Sequence, residues 1–325
     1  MPKATVRPSR TPSQPSASAK TSSISSHTAI IRKAGELAKQ CRITHGAKFR
    51  LKDHDPADTM GFKSEDEPRA KQALEAGVQT LSKLQDMLYA QDKWAALLIF
   101  QGMDTAGKDG VVKHVMSGVN PTGCQVFSFK EPSSDDLDHD YLWRCIKCLP
   151  NRGHIGIFNR SYYEEVLVVR VHRTLLDKEN IPPSLVTRHI WKERLEDIHN
   201  FERYLHRNGI ITGKFFLNLS KKEQKQRLLE RADDPDKNWK FSTSDIAERG
   251  YWDDYQDAFE DMIRHTATKE NPWYVIPADH KWFARILVSA AVIHTLDRLN
   301  LSYPHVDKAK LAEIQKAKET LLAEP

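Results

Sequence analysis

The feature that most constrains this 325-residue chain is a regular alternation of short apolar runs with helical patterns between residues 94 and 300. The apolar runs have the length of buried strands, and segments with apolar residues at helical spacing follow them. Such an alternation predicts a mainly parallel sheet with helices on both faces, in a single α/β domain. The predicted strands are Trp94–Phe100, Gln125–Phe129, Ile155–Phe158, Ile210–Leu219 and Trp273–Pro277.

Helical patterns connect these strands and flank them. Pro68 opens a helix that runs to about Asp92, and its apolar residues recur every three or four positions. The other predicted helices are Ala29–Gln40, Lys108–Gly118, Ser134–Leu149, Tyr163–Arg170, Ser184–Asn208, Lys221–Ala232, Asp245–His265, Trp282–Leu299 and Val306–Ala323.

The chain divides into four segments by composition and pattern. Residues 1–28 are predicted to be a disordered tail, because Met1 to Ser26 is rich in Ser, Thr and Pro, lacks acidic residues and has few large apolar ones. Residues 29–92 form an arm and a helix, residues 93–300 form the α/β domain, and residues 301–325 form a C-terminal helix.

Charge and cysteine content exclude several protein classes. The formal net charge of +5 is small for this length and does not by itself indicate nucleic-acid binding. No run approaches the roughly 20 apolar residues that a membrane span needs, so no membrane association is predicted. Four cysteines, including Cys145 and Cys148 in a helical pattern, do not make a disulfide framework and indicate a reducing, cytoplasmic location.

A phosphate-binding loop follows the first predicted strand. Gly102, Gly107 and Lys108 match the G-x-x-x-x-G-K spacing, with a buried strand before the loop and a helix after it. Glycines let the backbone curl so that N–H groups of Ala106, Gly107 and their neighbours point at phosphate oxygens, and the helix N-terminus adds partial positive charge. We call residues 102–110, which end at Gly110, the P-loop.

Two acidic residues depart from the ordinary motif. Asp109 stands where a Ser or Thr hydroxyl would bind Mg²⁺. Asp104 lies inside the loop, where a carboxylate would repel phosphate unless a cation lay between them or the carboxylate handled the acceptor. Mg²⁺, which prefers oxygen ligands, is the expected cofactor.

The third strand ends in a second polar motif. Asn159 occupies the place of a metal-binding Asp, Arg160 can clamp a phosphate with two donors, and Glu164 or Glu165 could supply a carboxylate to the metal. The same glutamates could equally cap a helix.

A polar, cationic segment at about 227–250 is typical of a closing lid. Its basic residues surround the loop 232–236 and Trp239; they are Arg227, Arg231, Lys237, Lys240 and Arg249. A solvated charged loop is the simpler alternative. Because the basic residues of the chain gather around phosphate motifs and no aromatic stacking platform is evident, nucleic acid is not an expected partner.

Several ordered motifs resemble the polyphosphate kinase 2 family over about residues 45–300. They are the P-loop, the run FNRSYYE at 158–164 with VLVVRVH at 166–172, DPDKNWKF at 234–241, LKD at 51–53 with DP at 55–56, SGVNP at 117–121 and WYVIPAD at 273–279.

The resemblance implies a P-loop kinase fold similar to thymidylate kinase, with a five-stranded parallel sheet and a lid. It implies Mg²⁺-dependent phosphoryl transfer between inorganic polyphosphate and AMP, ADP or ATP, usually by a homo-oligomer. Asp104 looks like the carboxylate tied to metal and acceptor, Lys108 like the phosphate-binding lysine, and Glu164 like a further metal ligand. The implied phosphate ligands are Arg160, Arg170 and the lid cations Arg231, Lys237 and Lys240, and Lys113 could extend the channel for the phosphate chain.

Asn159 followed by Arg-Ser-Tyr-Tyr-Glu resembles the branch that phosphorylates both AMP and ADP. Two other functions stay open at this point. An ATP-dependent nucleoside-monophosphate kinase could use the same fold, although the missing hydroxyl after Lys108 counts against it. A non-catalytic polyphosphate-binding protein would explain the loss of Asp at position 159.

Overall fold

The computed structural model describes residues 17–324, with side chains from His27 onward except that of Lys240. Its sheet has six strands, namely β1 (Arg42–Ile43), β2 (Ala95–Gln101), β3 (Cys124–Ser128), β4 (Ile155–Asn159), β5 (Ile210–Asn218) and β6 (Trp273–Pro277). Their order is β1-β6-β5-β2-β4-β3. The five predicted strands are parallel to their neighbours, which confirms the α/β class. The prediction of five strands missed β1, which pairs antiparallel with β6.

Helices flank the strands along the described part of the chain. They are α1 (Ala17–Cys41), α2 (Glu67–Gln91), α3 (Lys108–Val115), α4 (Ser134–Leu137), α5 (Trp143–Ile146), α6 (Val168–Val171), α7 (Ile190–Arg207), α8 (Lys221–Asp233), α9 (Thr243–Glu248), α10 (Trp252–Thr266), α11 (Lys281–Asp297) and α12 (Lys308–Leu322).

Several predicted segments differ from the structure; among them, the predicted helix Tyr163–Arg170 is a 3-10 helix at Tyr162–Val166 followed by the one-turn α6, and α7 begins at Ile190 instead of Ser184. Helix α1 begins at Ala17 instead of the predicted Ala29, and residues 1–16 of the predicted tail lie outside the described residues. The predicted helix Ser134–Leu149 is two one-turn helices, α4 and α5. The predicted helix Asp245–His265 is divided into α9 and α10 by a 3-10 turn at Arg249–Tyr251.

The central strand β2 is buried on both faces and its side chains alternate between two cores. Leu98 and Phe100 belong to the core beneath α1, α2 and α11. Leu97 and Ile99 belong to the core beneath α7 and α10. A two-sided apolar strand of this kind forms only when helices cover both faces, so the alternation read from the sequence fixes the layer order.

Two further facts concern the whole described chain. No helix within residues 17–324 is long and apolar enough to cross a bilayer. All four cysteines are free thiols.

Candidate active site

The two polar motifs meet at the carboxyl edge of the sheet. Strands β2 and β4 are parallel neighbours, and Phe100 pairs in register with Asn159. The backbone N–H of Arg160 donates to the carbonyl of Phe100 at 3.1 Å. The P-loop after β2 therefore lies beside the turn that carries Asn159 and Arg160, in the crevice where α/β proteins bind their ligands.

The P-loop backbone requires glycine at two places. Gly102 has φ +153°, and a Cβ there would lie 2.9 Å from the carbonyl oxygen of Leu217. Gly107 has φ +102° and directly precedes α3. Thr105 and Arg160, which are not glycines, also have φ near +64°. Strained non-glycine residues on both loops are typical of a functional site.

Lys108, the first residue of α3, folds back over the loop. Its Nζ donates to the carbonyl oxygens of Gly102 at 2.7 Å and Met103 at 3.3 Å. Burial lowers the pKa of Lys108, and the nearby charge of Arg160 lowers it further. An anion bound at the loop would offset both effects, because it stabilises the charged form of the ammonium.

Arg160 lies between two carboxylates. Its Nη2 is 2.8 Å from Oδ1 of Asp104, and its Nη1 is 3.2 Å from Oε2 of Glu164. The charges of Glu164 and Asp104 raise the pKa of Arg160 against the effect of burial. The structure thus brings Asp104 of the P-loop into contact with Arg160 and its neighbour Glu164, which the sequence analysis placed in a second motif.

Asn159 and Asp109 are joined by a hydrogen bond from the Asn159 amide to Oδ1 of Asp109. Asn159 is buried, whereas Asp109 is exposed on the first turn of α3. A carboxylate at position 159 would face Asp109 with like charge. The neutral amide of Asn159 avoids this repulsion and donates a hydrogen bond to Asp109, the residue that stands where a hydroxyl is usual.

A cavity of about 630 Å³ opens next to the P-loop. It is bounded by Asp104, Arg160 and Glu164 on one side and by α4 and α9 on others. Its volume is that of a small-molecule site.

The sequence analysis did not predict that His172, Glu248 and Tyr255 contact one another at this cavity. Oε2 of Glu248 accepts from the hydroxyl of Tyr255 at 2.7 Å and lies 2.9 Å from Nε2 of His172. His172 stood in a recognised motif, but nothing in the local pattern linked it to α9 and α10.

Arg170 does not line this cavity. It lies on α6 and forms an ion pair of 2.8 Å with Asp261 of α10. The predicted role as a phosphate ligand therefore requires that this pair open or that the phosphate chain reach α6.

The basic residues of the predicted lid differ in exposure and in their ion-pair partners. Arg231 pairs with Asp245 at 3.1 Å, and the pKa of Asp245 is raised by burial and by the charge of Asp104, which puts α9 close to the P-loop. Lys237 is exposed and pairs with Asp234. The side chain of Lys240 lies outside the described residues, and Lys113 is exposed on α3.

Arg227 corrects one prediction, because it is buried beneath the P-loop instead of lying on a mobile lid. Its Nη1 donates to the carbonyl oxygens of Thr105 at 3.1 Å and Ala106 at 3.2 Å. Gln224, one turn earlier on α8, donates to the carbonyl of Asp104 at 3.1 Å. These bonds engage three successive loop carbonyls inside the protein, and the N–H of Ala106 itself donates to the carbonyl of Met103 at 3.1 Å.

Several known proteins are similar to this chain in sequence and in fold. Residues 63–304 match the family model described as polyphosphate kinase 2. The ADP-polyphosphate phosphotransferase of Rhodopseudomonas palustris is 48% identical over 285 residues, which are 87% of this chain and 98% of that protein. The AMP/ADP-polyphosphate phosphotransferase of Meiothermus ruber is 43% identical over 271 residues, which are 83% of this chain and 97% of that protein.

A solved structure agrees with the sequence comparisons. The crystal structure of polyphosphate kinase 2 from Arthrobacter aurescens TC1 has a TM-score of 0.79 at 39% identity, and the match covers 87% of this chain and 96% of that chain. Together with the P-loop and the Asp104–Arg160–Glu164 cluster beside it, these matches show that the chain is a phosphotransferase of the polyphosphate kinase 2 family.

Proposed function

We propose that this enzyme transfers phosphoryl groups reversibly between inorganic polyphosphate and adenine nucleotides, with AMP and ADP as acceptors. The observation that carries this proposal is the position of Arg160, between Asp104 of the P-loop and Glu164 at the mouth of the cavity. A cation in this place can contact a phosphate on the P-loop and a second phosphate in the cavity.

The transfer needs alignment and charge neutralisation more than covalent chemistry. The amides of Gly107 and Gly110 and the ammonium of Lys108 hold the terminal phosphate of the polyphosphate chain, and the amide of Ala106 would join them when its bond to the carbonyl of Met103 opens. A terminal oxygen of AMP or ADP, held in the cavity, attacks that phosphorus. The new P–O bond forms as the bond to the next phosphate breaks, and polyphosphate shortened by one unit leaves.

Members of this family generally use a divalent metal, and Mg²⁺ is the proposed ion here. Within the described residues no group of three or more His, Cys, Asp or Glu side chains could hold a metal. Asp104 and Glu164 offer two carboxylates at the cavity, which suits Mg²⁺ because it is usually held by one or two carboxylates plus substrate phosphates and water. The ion would supply positive charge that neutralises the phosphates, and the two carboxylates would hold it.

The remaining predicted cations are proposed to follow the phosphate chain. Arg231, Lys237 and Lys240 on the lid and Lys113 on α3 would extend the positive surface away from Lys108. Arg170 is proposed as a further ligand that exchanges Asp261 for phosphate. We also expect a homo-oligomer, which sedimentation velocity of the full chain would test.

Both AMP and ADP are proposed acceptors because Asn159 and the motif after it resemble the branch that acts on both. One relative that is 43% identical is named for AMP and ADP, and one that is 48% identical is named for ADP. The amide of Asn159 donates to Oδ1 of Asp109, and Asp104 and Glu164 are the proposed ligands of the metal.

End-product analysis tests the proposal. The enzyme is incubated with polyphosphate and Mg²⁺ and with AMP, ADP, GMP or GDP, without ATP. ADP and ATP should form from AMP, and ATP should form from ADP. If AMP is phosphorylated only when ATP is added, the chain is a nucleoside-monophosphate kinase. If polyphosphate binds but no product forms at any Mg²⁺ concentration, it is a binding protein.

A further inference from the structure

A second cationic cluster lies at the lateral edge of the sheet, apart from the P-loop. It consists of Arg42 in β1, His294 in the last turn of α11 and Arg298 just after that helix. Strands β6 and β5 separate β1 from β2, whose end carries the P-loop. At about 4.8 Å between neighbouring strands, β1 and β2 are ~14 Å apart. We call these three residues the edge cluster.

The two arginines of the edge cluster share one acceptor. Nη2 of Arg42 and Nη2 of Arg298 donate to the carbonyl oxygen of Lys269, at 3.3 and 3.2 Å. Nη2 of Arg298 also donates to the carbonyl of Glu270 at 2.9 Å. Nη1 of Arg42 lies 3.4 Å from Nε2 of His294. Two guanidinium charges are therefore held side by side with an imidazole against them.

This cluster lacks a counter-charge within the part of the chain that is described. No described carboxylate forms an ion pair with Arg42 or Arg298. Nε of Arg42 is a buried atom without a hydrogen-bond partner, and Nη1 of Arg298 has no partner of good geometry, although hydrogen bonding to the hydroxyl of Tyr274 raises the pKa of Arg298. Buried donors of this kind are nearly always satisfied in folded proteins, so a missing partner points to a bound group.

The electrostatics agree with the geometry. Burial lowers the pKa of His294 to about 4, and the charges of Arg42, Arg298 and Lys39 of α1 act in the same direction. Burial also lowers the pKa of Arg298; Arg42 adds to this, while Tyr274 of β6 and Glu270 of the preceding loop oppose it. Positive groups thus converge from α1, β1 and α11, and no described carboxylate lies within ion-pair distance of either arginine.

We propose that the edge cluster binds an oxyanion of the phosphate class, either orthophosphate or the end of a polyphosphate chain. Guanidinium forks match the oxygens of such an anion, and pairing with it would neutralise the mutual repulsion of the two arginines. All three residues are partly exposed, so an anion can approach the edge cluster from solvent, although the unpaired nitrogens themselves are buried. The bound anion would tie β1, and with it the end of α1, to the end of α11 and the loop before β6.

The imidazole of His294 provides a local readout in the full-length protein. We would record NMR spectra with labelled histidine, assign His294 by His294→Gln, and add orthophosphate or tripolyphosphate near pH 6. An anion within contact distance of an imidazole raises its pKa by about 1–3 pH units, so His294 should change from neutral to partly protonated. A response to either anion supports the site and identifies its source, and a response to neither overturns it.

Matched variants separate binding at the edge cluster from binding elsewhere. Arg298→Gln and Arg42→Gln should abolish the response of His294. Arg203→Gln, an exposed arginine on α7, should preserve it, and so should Lys108→Ala because the P-loop is a different site. If the Gln variants fold poorly, Arg298→Lys replaces them; it keeps the charge but loses the guanidinium fork, so the response of His294 should weaken. An equal response in Arg298→Gln and the unsubstituted protein, or to NaCl at the same ionic strength, would refute the proposal.

Discussion

Lys108 is half-buried at the P-loop and Lys214 is fully buried in β5, and we expect the first to serve the reaction and the second to stabilise the fold. Burial lowers the pKa of both. Lys214, in the interior of β5, donates to Oε2 of Glu202 at 2.6 Å, to the carbonyl of Thr266 at 2.8 Å and to the hydroxyl of Tyr163 at 3.2 Å. Lys108 has two carbonyl acceptors, both in the P-loop.

An ammonium has three protons to donate. The three acceptors of Lys214, one of them a carboxylate, use all of them inside the protein. Lys108 has no carboxylate in direct contact among the described side chains, and one proton remains for a ligand. We therefore expect the same residue type to be structural in Lys214, whose partners are internal, and functional in Lys108, whose remaining proton is free for a bound phosphate under the proposed mechanism.

Removing Lys108 should have the largest effect on the reaction. We expect Lys108→Ala to lower kcat by about 10³-fold or more, because a preorganised cation on the transferring phosphate is lost. The free energy of unfolding should change by less than about 1 kcal/mol, since the loop carbonyls can be hydrated. ATP formation from ADP and polyphosphate, with denaturant unfolding, measures both. The exposed Lys192→Ala on α7 is the control, and near-normal kcat in Lys108→Ala would contradict this reading.

Breaking the interior pair should instead lower stability. Lys214→Met leaves the Glu202 carboxylate buried without its cation, which should cost about 3–5 kcal/mol in the free energy of unfolding. Urea unfolding measures the loss. The double variant Lys214→Met/Glu202→Leu should recover much of it, because no lone charge remains. A single variant as stable as the wild type would show that this pair is not needed for the fold.

Glu165 is a third buried charged group, and its burial makes the stability of the fold depend on pH. Arg194 lies 3.0 Å from Glu165 and also contacts Glu179, so one cation serves two carboxylates. Burial and the charge of Glu179 raise the pKa of Glu165 from 4.5 to about 8, against the effect of Arg194. The folded state then holds a proton that the unfolded chain releases. The stability from this group is complete below about pH 4.5 and is lost as the pH rises through about 8.

Glu165→Gln should remove this pH dependence. The amide mimics the protonated carboxyl, so the variant should match the wild type near pH 5 and exceed its free energy of unfolding by about 1–3 kcal/mol near pH 9. Urea unfolding at a series of pH values measures the difference. A constant difference across the range would mean that Glu165 does not carry the proton.

The smallest effect should come from the cap of α8, the helix that supports the P-loop. Oγ of Ser220 accepts from the backbone N–H of Glu223 at 3.0 Å. Ser220→Ala should lower the free energy of unfolding by about 1 kcal/mol, and Ser220→Asp should keep the cap. Thermal unfolding of the two variants compares them. Equal melting of Ser220→Ala and the wild type would show that the capping bond is not stabilising.

Long buried runs made most of the fold predictable. The five long strands start and end within two residues of the prediction, because apolar alternation with helices leaves few other arrangements. Strand β1 has two residues and therefore no periodicity to detect. The helix predicted over Ser134–Leu149 is interrupted after α4, where the side chain of Asp140 accepts from the N–H of Leu142 in a local turn.

The parts of the candidate site that follow a motif spacing could be predicted from the sequence. Contacts between residues far apart in the sequence could not. The spacing around Lys108 identified the P-loop, and the end of β4 identified Arg160. The contact of Arg170 with Asp261 and that of Arg227 with the P-loop carbonyls join residues 91 and about 120 positions apart. No local pattern records such separations, so a basic residue in a lid-like segment could not be distinguished from a buried support.

The attachment of α8 to the P-loop restricts where this molecule can bend. Arg227 and Gln224 fasten one helix to three successive carbonyls of the phosphate cradle, so α8 cannot tilt without distorting that cradle. The hinge for any closure must therefore come after the helix ends at Asp233, where Asp234 turns to an extended backbone before Pro235. Opening and closing would then leave the geometry of the phosphate amides unchanged through each cycle.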